Sequence, residues 1–118
     1  MKAIFGMAIV TAFVFAATSV GYAQWGTANI LVDGWKACQK IDAGDKDVGA
    51  TEFLQAGTYA GYVMGFLHGT MDGYKIPIGA TPKQLLAVVG KYLGAHPEKW
   101  SEPPYKIVYE ALFKAFPK

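Results

Sequence analysis

The chain has almost no chemistry to spend. Of 118 residues one is cysteine (Cys38), two are histidine (His68 and His96) and none is arginine, every basic side chain being lysine. A single Cys excludes an internal disulfide framework and any cysteine-rich zinc site. Two His leave little from which to assemble a metal or catalytic constellation. A formal charge of +2 is too small for a nucleic-acid footprint. G-x-S-x-G, H-E-x-x-H and a phosphate-cradling glycine loop are all missing. What the chain has is apolar residues, 53% of the total against 17% charged, which is material for one small folded domain.

Its first two dozen residues are set apart. Met1-Lys2 is a short positive start, Ala3–Ala17 is an apolar run without charge, and Gly21 and Ala23 are small residues at −3 and −1 of a signal-peptidase site. This pattern predicts a secretory signal peptide over residues 1–23, cleaved after Ala23, and a mature domain over 24–118 in the periplasm. The run is short for a membrane span, so no stable span is expected after cleavage. Cys38 reads most simply as a small buried hydrophobe.

The mature chain reads as four helices. Leu31, Trp35 and Cys38 follow helical spacing in Asn29–Ile41, where Gly34 weakens the pattern. Between Phe53 and Met71 there is no Asp, Glu, Lys or Arg, and Gly57, Gly61, Gly65 and Gly69 recur every fourth residue. Each Gly costs about 1 kcal/mol of helix propensity against Ala. A stripe of them therefore predicts a partner helix lying against bare backbone. Thr81-Pro82-Lys83-Gln84 combines an N-cap, a Pro at the first helical position and a capping-box Gln. Leu85, Val88, Val89, Tyr92 and Leu93 form that helix's apolar face. Ser101 is expected to cap a fourth helix whose stripe is Ile107, Val108, Ala111, Leu112, Ala115 and Phe116. The expected fold is all-α, a compact bundle of about four helices with short connections.

His68 and Asp72 stand four apart at the end of the second helix, the spacing of a general-base pair or half a metal site. No third ligand stands at helical spacing, and the plainer reading is a helix-end His near a carboxylate. No catalytic, cofactor-binding or metal-ligating residue is therefore assigned, no cofactor is expected, and the protein is not expected to be an enzyme. Trp100 and Tyr74, in loops, are candidate anchors for a partner.

The ordered pieces Gly61-Tyr62-Val63-Met64-Gly65, Ile76-Pro77-Ile78-Gly79-Ala80-Thr81-Pro82-Lys83-Gln84, Tyr92-Leu93 with His96-Pro97-Glu98, and Ala111-Leu112-Phe113-Lys114-Ala115-Phe116-Pro117 resemble the Rap/Tai family of type VI secretion immunity proteins. The family's Cys before I-P is Lys75 here, its terminal Cys is Lys118, and a third Cys near the G-Y segment is missing, so the disulfides that staple the family's helices are absent. The resemblance implies a small periplasmic helical protein that binds a cell-wall amidase effector and occludes its active site, and it allows a homodimer. Within that expectation His68, Asp72, Tyr74 and Lys75 are assigned to partner binding. The alternative is a periplasmic acid-stress chaperone of the HdeA type, which resembles this chain in export and helical content but relies on a disulfide.

Overall fold

Helix starts are where local sequence decides most, and the clearest is at Thr81. Its hydroxyl accepts from the Gln84 N–H at 3.2 Å while the Gln84 side chain accepts from the Thr81 N–H at 2.9 Å. Pro82 occupies the first helical position, where no donor is needed. Thr81→Ala is expected to cost about 1 kcal/mol, measured by chemical denaturation. The preceding helix begins with half of the same device, because Gly49 has no side chain: the Glu52 carboxylate accepts from the Gly49 N–H at 2.8 Å. That bond holds Glu52 below the usual carboxylate range.

The computed structural model describes residues 26–118, and the expected signal peptide lies outside them. Among the described residues there are four α-helices and no strand: α1 (Asn29–Asp42), α2 (Ala50–Gly69), α3 (Pro82–Ala95) and α4 (Pro104–Ala115). Short 3₁₀ turns, Met71–Gly73 and Pro97–Lys99, follow α2 and α3. The all-α expectation holds, and the helix bounds lie close to those read from the sequence.

The fourth helix starts differently from expectation. Its N-cap is Pro103, and Ser101 lies exposed in a turn without a capping bond. Two consecutive prolines remove two backbone donors, so there is less for a Ser to cap. The Glu102 carbonyl instead accepts from the Ala28 N–H at 2.8 Å, tying the start of α1 to the loop before α4.

Leu31 of α1, Tyr59, Val63 and Leu67 of α2, Leu85, Val89 and Leu93 of α3, and Ile107, Val108, Ala111 and Leu112 of α4 meet in one core. α1 and α2 form the tightest pair. The close approach expected at the glycine stripe occurs elsewhere. A Cβ at Gly57, Gly61, Gly65 or Gly69 would meet nothing within 4 Å, so that ridge faces solvent. A Cβ at Gly34 would fall 2.8 Å from the Gln55 carbonyl oxygen and closer still to the Tyr59 Cβ, and one at Gly90 would enter the Trp35 ring. Two single glycines, one on α1 and one on α3, allow the helices to approach.

Candidate partner-binding surface

The segment after α2 places the four residues assigned to partner binding. α2 stops at Gly69, and Thr70 turns its hydroxyl back to donate to the Phe66 carbonyl at 2.8 Å. The 3₁₀ turn then folds Tyr74 inward, where it is 5% exposed and its hydroxyl lies 2.9 Å from the Thr70 hydroxyl. Burial pushes the Tyr74 phenol up from its ordinary pKa. Tyr74 thus belongs to the frame of the surface. His68, Asp72 and Lys75 stand exposed around it. The change from α-helix to 3₁₀ turn breaks the four-residue register, and among the described residues His68 and Asp72 do not pair. No three of His, Cys, Asp and Glu come together there as a metal site either.

The connector leans on α4. The Lys75 N–H donates to the Phe116 carbonyl at 3.1 Å, and the rings of Tyr74 and Tyr109 lie 5.6 Å apart. Tyr109 in turn stacks on Phe113 at 5.9 Å, with Tyr105 one turn earlier on the same line. All three are exposed, by 56% (Tyr105), 42% (Tyr109) and 43% (Phe113). Tyr62 and Phe66 of α2 make a second stacked pair at 6.4 Å. Asp72 and Lys75 therefore flank the turn that meets the aromatic line of α4, and His68 stands exposed at the end of α2. Sequence reasoning missed Tyr109 and Phe113. The signal was present in the spacing of 105, 109 and 113, which lies beside the stronger stripe that faces the core.

Trp100, the other candidate anchor, closes the bundle. Its indole N–H donates to the Leu93 carbonyl at 2.8 Å, and the Lys36 ammonium sits 5.5 Å from its ring. Cys38 is half-buried beside an apolar groove of about 560 Å³ between α1, α2 and α3, lined by Trp35, Phe53 and Leu86, and burial pushes its thiol pKa up.

A family model for Rap1a immunity proteins matches residues 30–117. The chain belongs to this family. No curated protein and no solved structure matches it. The Rap1a match reaches from the first turn of α1 past the end of α4, so the core, the connector and the aromatic surface all lie within it.

In this Rap1a chain a set of polar ties joins α3 and the 3₁₀ turn after it to α4. Lys99 reaches Glu110 at 2.9 Å and the Tyr92 hydroxyl at 3.0 Å, and Tyr92 donates to Glu110 at 3.0 Å. The Lys99 hydrogen bond holds Glu110 below the usual carboxylate range. Bonding to Tyr92 and Glu110 holds the Lys99 ammonium above the usual lysine range. An unfolded chain protonates Glu110 at higher pH than the folded one does. The stabilisation is thus fully present above about pH 4.3, the unfolded value, and is lost as pH falls through the lower folded value. Lys99 works in the opposite sense, its share being lost only in strong alkali. Denaturation midpoints measured from pH 6 to pH 3 are expected to fall less steeply for Glu110→Gln than for the parent.

Proposed function

We propose that this Rap1a-family protein is exported to the periplasm, where it binds a type VI secretion effector, a peptidoglycan amidase, and neutralises it by covering the active site. Membership of the immunity family carries this reading. The chemistry of the chain supports it, since a protein that blocks a cleft needs shape, apolar anchors and a polar margin rather than a nucleophile or a metal. The connector is the segment we assign to the effector, with His68, Asp72 and Lys75 making contact and Tyr74 fixing the turn that presents them.

The test is survival. A susceptible bacterium is made to produce the amidase effector in its periplasm, with or without this protein. The full chain is expected to prevent lysis, and the chain lacking residues 1–23 is expected to leave the cells unprotected. Lysis at the same rate with the full chain, at matched expression, would overturn the proposal.

A further inference from the structure

α4 carries two apolar stripes where folding needs one. Ile107, Val108, Ala111 and Leu112 face inward and are buried, which completes the amphipathic requirement of a bundle helix. Tyr105, Tyr109 and Phe113 form a second line at four-residue spacing on the solvent side, a strip about 12 Å long at 1.5 Å per residue. Scattered exposed hydrophobes are ordinary, whereas a contiguous aromatic strip marks an interaction surface.

The strip is held in place. Tyr109 is braced by the buried Tyr74 ring, and a Cβ at Gly73 would touch its edge at 3.5 Å. Rigid tyrosines ordered before binding lose little entropy on contact.

The charge left unpaired around the strip is mostly positive. Lys75 and Lys114 have no carboxylate partner among the described residues. Lys106 reaches one oxygen of the partly buried Glu102 at 3.4 Å, a pair worth little on its own, and the other Glu102 oxygen is buried without a partner. The neighbouring Glu110 is already engaged by Lys99, which leaves Asp72 as the acid on the connector. An apolar centre with a lysine margin is complementary to an apolar segment flanked by carboxylates.

We propose that the strip Tyr105–Tyr109–Phe113, with Lys75, Lys106 and Lys114 beside it, is the anchor for an acidic, apolar-centred segment of the effector protein. The proposal rests on the immunity reading and goes further, because it moves the centre of the interface from the connector to α4 and fixes the chemistry of the partner.

The probe is the purified peptidoglycan amidase effector used in the survival test, inactivated at its nucleophile and titrated against the mature chain. Tyr105→Ser with Phe113→Ser is expected to weaken binding about 100-fold, as for truncation of central aromatic anchors. Both positions are exposed, so thermal melting should be unchanged. A second variant leaves the rings alone: Lys75→Glu, Lys106→Glu and Lys114→Glu together are expected to slow association about tenfold at low salt and to reverse its salt dependence. Binding by both variants within about twofold of the parent would overturn the proposal and leave the immunity reading standing. No binding by the parent chain would remove both. Retention of the parent on purified peptidoglycan sacculi, lost in the Tyr105/Phe113 variant, would assign the strip to glycan instead and equally overturn it.

Discussion

Gly34→Leu is expected to cost at least about 3 kcal/mol and Gly34→Ala about 2 kcal/mol, even though both replace glycine within a helix by a better helix former. The reason lies in what a Cβ would meet. At Gly34 it runs into the Tyr59 Cβ and the Gln55 carbonyl oxygen, which are attached to the neighbouring backbone and cannot swing aside. The tightest helix pair would have to separate. Gly61→Ala, where a Cβ meets nothing within 4 Å, is expected to stabilise by up to about 1 kcal/mol through helix propensity and a less entropic unfolded chain. Opposite signs for the same kind of substitution, read from urea midpoints, test whether close packing belongs to α1 or to the glycine ridge of α2.

Tyr59→Ala is expected to cost about 3–5 kcal/mol, in the range for removing a large buried aromatic side chain. Tyr59 is fully buried, its ring lies 5.9 Å from Trp35, and its hydroxyl donates to the Leu86 carbonyl at 2.6 Å. It thereby links α1, α2 and α3, and burial raises its phenol pKa. Tyr59→Phe keeps the packing and loses that bond. The Leu86 carbonyl retains its helical partner, so the expected cost is about 1 kcal/mol. A small domain without a disulfide has a margin of only about 5–10 kcal/mol. The Ala variant should therefore melt far below the parent by circular dichroism, and the Phe variant only a few degrees below it.

These two residues also mark where the sequence could be read and where it could not. Helix positions were legible because they rest on local chemistry: the cap at Thr81, the proline at 82 and the helical spacing of Leu31, Trp35 and Cys38 in α1. Which face of α2 turns inward was not. Gly57, Gly61 and Gly65 form one line at four-residue spacing, and Tyr59, Val63 and Leu67 form another. Periodicity says only that each line shares a face. The line with side-chain volume to bury occupies the core, and the bare one is left outside. Gly34 looked like a weakness in α1 because a helix crossing needs one missing side chain, which leaves no repeat to notice. Tyr74 looked like a free loop aromatic because nothing local signals that a 3₁₀ turn folds it back beneath Tyr109. The outer strip on α4 was not legible, since the core stripe of Ile107, Val108, Ala111 and Leu112 accounts for that helix before the outer aromatics are considered.

The most direct measurement is inhibition in vitro. Purified amidase effector is mixed with increasing amounts of the mature chain, and solubilisation of peptidoglycan is followed by turbidity. An immunity protein acting by occlusion predicts hydrolysis falling linearly to zero at a fixed stoichiometric ratio, with substrate and inhibitor competing. Undiminished hydrolysis at a large excess of the folded chain would contradict it.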